Sequence, residues 1–163
     1  MKSKVIVIFR SALFGVILLA SSAFVVSGAP QRVDAQVTET SKLTIRVVDA
    51  KNSRGQIAIA IFKGPTGFPG NKTKALRTVQ VAIDPKSLCA QVTVPDLPHA
   101  DYGVAIFHDE NMNGQLDKNM LGIPKEGYGF SNISKKSMGA PKFDDAKFQL
   151  VQPEQTLEIK LLY

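Results

Sequence analysis

The sequence predicts an all-β chain, an antiparallel β-sandwich of about seven strands. Three observations carry that reading. Apolar residues recur with a period of two in short runs, and beyond the first 35 residues no run shows the 3.6-residue period of an amphipathic helix. Clusters of Gly, Pro, Asn and Asp punctuate the runs, as turns between strands require. With an N-terminal leader set aside, the rest of the 163 residues makes one domain.

The elements follow in order. In LTIRVVD, Leu43, Ile45 and Val47 alternate with Thr44, Arg46 and Val48; in QIAIAIF, Ile57, Ile59 and Ile61 share one face. The turn chemistry of AKNSRG between them predicts a hairpin. KGPTGFPGNK, with three glycines and two prolines, is a loop. LRTVQVAI alternates through Val79, Val81 and Ile83, and Asp84-Pro85 turns the chain into LCAQVTV, which would place Cys89 within a strand. PDLPHAD is a further turn and YGVAIF a fifth strand. AKFQLV and LEIKLLY close the chain as two more strands. A long loop, residues 108–145, separates the fifth strand from the sixth.

The N-terminus reads as a secretory signal peptide, residues 1–35. Lys2, Lys4 and Arg10 form a basic start, and an apolar run of 16 residues follows, from Ser11 to Val26. That run is shorter than the ~20 residues of a spanning helix, so no stable membrane span is expected after processing. Val33-Asp34-Ala35 before Gln36 sets the expected cleavage after Ala35, with residues 36–42 as a flexible lead-in and 43–163 as the domain. Export then places the protein in the periplasm or outside the cell.

Cleavage also changes the charge. The whole chain carries 20 Lys and Arg against 14 Asp and Glu, a net +6; losing Lys2, Lys4, Arg10, Arg32 and Asp34 leaves 16 against 13, a net +3. That is an ordinary solubility charge and not the footprint of a nucleic-acid binder. Cys89 is the single cysteine, so no intrachain disulfide can support the fold, and a buried hydrophobe is the expected role of its side chain.

The 108–145 segment holds most of the residues that carry chemistry. A compact domain seldom keeps so long a stretch without periodicity unless it is functional or held by something. Counting Asp109 as position 1, Asn111, Asn113, Gln115 and Asp117 fall at positions 3, 5, 7 and 9, with Gly114 at 6 and Leu116 at 8. This matches the first nine positions of an EF-hand type calcium loop: side-chain oxygens at 1, 3 and 5, glycine at the reversal, a carbonyl at 7, an apolar anchor at 8 and an acid at 9. Position 12, normally glutamate, is Met120, and a strand precedes the loop, so this is no true EF-hand. A further ligand would come from Glu126, Asp144 or Asp145. The competing reading is a loop closed by Asn and Asp side chains on their own backbone.

A catalytic alternative is a hydrolase using His108 and Asp109, with Glu126 and with Ser131 or Ser134 as nucleophile, although no nucleophile elbow surrounds either serine. A transition-metal site would join His108 to His99, which a turn and a whole strand separate. A non-catalytic His108 is expected to end the fifth strand with its ring bonded to backbone in the long loop. Tyr128 and Phe130, set among Gly122, Gly127 and Gly129, either pin the loop or form a binding edge, and Phe143 and Phe148 are expected as core anchors.

YGVAIFHDENMNGQLDKNMLGIPKEGYGFSN, followed by GAPKFDDAKF, resembles the bacterial secreted family catalogued as domain of unknown function twenty-one forty-one, over about residues 43–162. The resemblance implies an exported β-sandwich of Ig-like or transthyretin-like type, near the carboxypeptidase regulatory-like architecture. It implies no activity and no catalytic residues. The functional expectation is a non-enzymatic module whose 108–145 loop, organised by Ca²⁺, binds a protein partner, a glycan or a small ligand. A structural accessory domain of a cell-envelope assembly is the third alternative.

Overall fold

The computed structural model describes residues 39–136 and 139–163, all within one compact unit, Gln36–Tyr163. The leader and its cleavage point lie outside the described residues. Among the described residues eight strands form: β1 (Thr40–Val48), β2 (Gln56–Phe62), β3 (Arg77–Val81), β4 (Ala90–Pro98), β5 (Ala100–Asp109), β6 (Tyr128–Phe130), β7 (Phe148–Leu150) and β8 (Glu154–Lys160). A single turn of helix, α1 (Phe143–Ala146), precedes β7.

The strands make two sheets, one ordered β4-β1-β8 and the other β3-β2-β5-β6 with β7 also paired to β5. Alternation sets what each buries. Leu43, Ile45 and Val47 on β1 and Ile57 and Ile61 on β2 are fully buried, and both sets belong to one apolar cluster drawn from the two sheets. Burying each such side chain is worth about 1.5–3 kcal/mol, which makes this cluster the main source of stability.

Several expectations change here. β1 and β2 do not form a hairpin: β1 pairs with β4 and β8, while β2 pairs with β3 and β5. The two alternating faces meet across the core instead of lying side by side. Nor are all pairs antiparallel, because β8 runs parallel to β1. The lead-in stops at Thr40, where β1 begins, since Thr40 and Ser41 pair with Pro98 and Leu97 of β4 and Lys42 with Glu154 of β8. β4 runs on through PDLP, which reads as a turn. The pairing slips between Ser41 and Leu43, and Asp96 takes φ +57°, so Pro95-Asp96 sits in a β-bulge of an edge strand, where proline is tolerated. Cys89 lies before β4, half-buried as a free thiol, in the turn closed by Asp84 N–H to the Cys89 carbonyl at 2.8 Å.

The long loop is not structureless. β6 pairs with β5 through Ala105–Phe130, Ile106–Gly129 and Phe107–Tyr128. Tyr128 also exchanges backbone hydrogen bonds with Leu162 at 3.0 and 2.8 Å. Phe143 is buried as expected, and Phe148 is half-buried with its ring centroid 6.4 Å from that of Tyr102.

Candidate functional site

The end of β5 delivers His108 and Asp109 to opposite faces of the strand, as neighbouring strand residues must be. Both are fully buried. His108 Nε2 lies 2.7 Å from the Arg54 carbonyl, which can only accept, so that nitrogen carries the proton. Nδ1, at 2.8 Å from the Tyr163 hydroxyl, is then the acceptor in the neutral ring, and Lys51 N–H donates to the same hydroxyl at 3.0 Å. The ring therefore bonds the connection between β1 and β2 on one side and Tyr163 on the other, not the long loop. It is the backbone N–H of His108 that meets the loop, donating to the Gly127 carbonyl at 2.8 Å. Gly127 is required there, because a Cβ on it would lie 2.5 Å from the Tyr163 ring.

Asp109 faces the loop. Its Oδ2 accepts from Gly114 N–H at 3.0 Å and from Gln56 Nε2 at 3.1 Å, while Oδ1 is buried without a hydrogen-bond partner. Gly114 takes φ +73°, the left-handed turn expected at the reversal. Asn111 and Asn113 both point amide groups at Asp117, Asn111 Nδ2 to Oδ2 at 2.8 Å and Asn113 Nδ2 to Oδ1 at 3.1 Å. Their oxygens accept from backbone: Asn111 Oδ1 from Asn113 N–H at 3.1 Å and Asn113 Oδ1 from Gln115 N–H at 2.7 Å. Positions 3, 5 and 9 of the loop thus converge, and the two asparagines close Asx turns as they do so. Lys72 Nζ donates to the Gly114 carbonyl at 2.8 Å, and Leu116 is half-buried.

Glu126 ties the loop together. It is 5% exposed, with Oε1 accepting from Glu110 N–H at 3.0 Å and Oε2 from Asp117 N–H at 2.9 Å. Of the three acids named as a further ligand, it is the one the fold brings to the loop. Asp144 pairs instead with Lys147 at 2.9 Å, and Asp145 accepts from Lys142 N–H at 3.2 Å at the start of α1. Beside the loop, Glu110 accepts from Asn52 at 3.1 Å and from Arg54 at 2.6 Å. The Asn52 bond first, and then the Arg54 guanidinium, hold its carboxyl below the ordinary value of 4.5 against the opposing effect of burial.

The other singled-out residues stand apart. His99 Nδ1 is 3.2 Å from Glu39, and its Nε2 has no partner. Ser131 is buried, its oxygen accepting from Val104 N–H at 2.9 Å and donating to the Ala146 carbonyl at 2.5 Å. The structure thus commits His108, Asp109, Glu126 and Ser131 to separate sets of bonds. Among the described residues no three His, Cys, Asp or Glu side chains gather as a metal-holding group. Tyr128 and Phe130 are half-buried on β6 with ring centroids 5.8 Å apart, and Phe130 also reaches Phe68 at 6.2 Å. That contact packs it toward the Phe68–Phe143 pair, centroids 5.7 Å apart.

An open groove of about 750 Å³ lies on the outward face of β1, lined by Arg46, Asp49, Cys89, Phe130, Ser134 and Lys160 among others. Its charges are already paired, Arg46 with Glu158 at 2.8 Å and Lys160 with Asp49 at 2.6 Å.

Fold and site together define a two-sheet β protein carrying one elaborated loop whose buried acids bond backbone N–H groups. The chain belongs to the family DUF2141, described as an uncharacterized protein conserved in bacteria, which matches residues 45–158. No curated protein and no solved structure matches the chain.

Proposed function

We propose that this chain is an exported, non-enzymatic β-sandwich module, periplasmic or extracellular, whose loop at residues 109–117 takes up Ca²⁺ and so orders the 108–145 segment for binding a protein, a glycan or a small ligand. The observation that carries this reading is Asp109. Its carboxylate is fully buried, one oxygen holds the Gly114 N–H across the loop, and the other has no partner. A buried carboxylate oxygen left unpaired is costly, and a cation compensates it. Asn111, Asn113 and Asp117 are in mutual contact within the same loop, and each amide carbonyl keeps a second lone pair for a ligand beyond its Asx bond. The Gln115 carbonyl supplies position 7, and Glu126 braces the loop by accepting from the Glu110 and Asp117 N–H groups. With Asp109 and Asp117 as the only charged residues at the loop's own ligand positions, affinity falls in the ~0.1–1 mM class of extracellular modules.

Calcium titration of chelator-treated protein tests this. One ion per chain is expected, with binding weakened most by Asp109→Ala and less by Asn111→Ala, which removes a neutral oxygen. No uptake up to about 10 mM, ten times the upper end of that class, overturns the proposal.

A further inference from the structure

Residues 117–125 form a small two-armed projection from the loop. Lys118 bridges Pro124, Lys125 N–H donates to the Asp117 carbonyl at 2.8 Å, and Asn119 N–H to the Ile123 carbonyl at 2.8 Å. The tip, residues 119–123, reads Asn-Met-Leu-Gly-Ile. Met120 is 104% exposed, Leu121 83% and Ile123 56%. Six large hydrophobic side chains are exposed among the described residues, and these three together with Met112 are four of them. Scattered exposed hydrophobes need no explanation, whereas a cluster on one projection does.

Two further observations say what covers it. Four of the five backbone N–H groups at residues 119–123 are bonded within the tip. Asn119 Oδ1 accepts from Leu121 N–H at 2.9 Å and Ile123 N–H at 3.0 Å, and the Asn119 carbonyl accepts from Gly122 N–H at 2.9 Å. Water makes no such demand on a loop, but hydrocarbon does, because nothing there can bond a free N–H. Second, Lys118 and Lys125, both exposed, leave the two arms just below the apolar tip. Lysine stems lie along apolar surface while the ammonium stays among headgroups, and anionic lipid attracts that charge.

We propose that residues 119–123 are a peripheral membrane anchor, seating Met120, Leu121 and Ile123 at the headgroup–acyl boundary of a bilayer that carries anionic phospholipid, with Lys118 and Lys125 on the headgroups. This goes beyond calcium uptake and does not need it, since the bonds that close the tip come from the 117–125 arms alone.

The test uses the unit Gln36–Tyr163, whose core is made of its own residues and which lacks the apolar leader. The chain has no tryptophan, so Leu121→Trp gives a single reporter at the tip. In the presence of a chelator, its emission should shift to the blue with phosphatidylcholine vesicles containing one third phosphatidylglycerol, and far less with phosphatidylcholine alone. In co-sedimentation, Met120→Ser with Leu121→Ser should lower the bound fraction about tenfold at an unchanged melting temperature. Lys118→Gln with Lys125→Gln should remove the preference for anionic vesicles. An unshifted emission, or vesicle binding that survives the serine variant, overturns the proposal. A tip-dependent dimer in lipid-free buffer with no response to vesicles overturns it in favour of a protein partner.

Discussion

His108 is bonded at three points, through both ring nitrogens and its backbone N–H. Its place at the end of a strand is legible from the alternation of YGVAIF, and its partners are not. Tyr163 is 55 residues away in the chain, and no local pattern joins the two. Adjacent letters also mislead at this scale. His108 and Asp109 look like a dyad on paper, yet strand geometry sends them to opposite faces. The arrangement predicts a structural histidine. Tyr163→Phe leaves Nδ1 and the Lys51 N–H without their hydroxyl, a loss of about 1–2 kcal/mol. His108→Ala opens a cavity and unpairs the Arg54 carbonyl, a loss of about 2–4 kcal/mol. Urea melts of both single variants and the double should show coupling, with the double costing less than the two losses added. Simple additivity would contradict the bond.

At the scale of the element, the sequence marks the 108–145 segment by its length and its glycines, and marks 109–117 by spacing. Gly114 takes φ +73° at the reversal, where that spacing puts a glycine. β6 was not legible, because three residues are too few for a period to show and its pairing partner is distant in sequence. Nor was the role of Glu126, since nothing local tells a ligand from a carboxylate that caps two backbone N–H groups nine and sixteen residues away. That role makes a prediction. Glu126→Ala strands two partly buried donors and should destabilise by about 2–6 kcal/mol, at about 1–3 kcal/mol for each unpaired group. Amide exchange should accelerate first at Glu110 and Asp117, while β1 and β2 stay protected. Uniform acceleration along the chain would show that Glu126 acts on the fold as a whole.

At the scale of the molecule, alternation located most strands and the residues they bury, because half-buried strands impose a period of two. It carries no information on which strand pairs with which, or in what direction. Hence the expected β1–β2 hairpin proved to be two strands of opposite sheets, and the last strand runs parallel to the first. Among the described residues no helix is long and apolar enough to cross a membrane. The basic start and apolar run before Ala35 predict that the exported form begins at Gln36. N-terminal sequencing of protein recovered from outside the cytoplasm checks this, and an intact Met1 there would contradict it.

The central claim is that Ca²⁺ completes the 109–117 loop, and the most direct measurement is a thermal melt of chelator-treated protein with and without calcium. For a Kd of ~0.1 mM and free calcium of ~1 mM, mass action stabilises the folded state by about RT ln 11, or ~1.4 kcal/mol. In a domain of this size the melting temperature should rise by roughly 3–6 °C. Magnesium at the same concentration should move it little, because such a loop cannot easily supply a small octahedral shell. The Asp109→Ala variant should melt lower and show no calcium shift. A wild-type melt unmoved by millimolar calcium, or a shift of equal size in Asp109→Ala, would contradict the account and leave the loop held by Asx turns, Glu126 and glycine geometry alone.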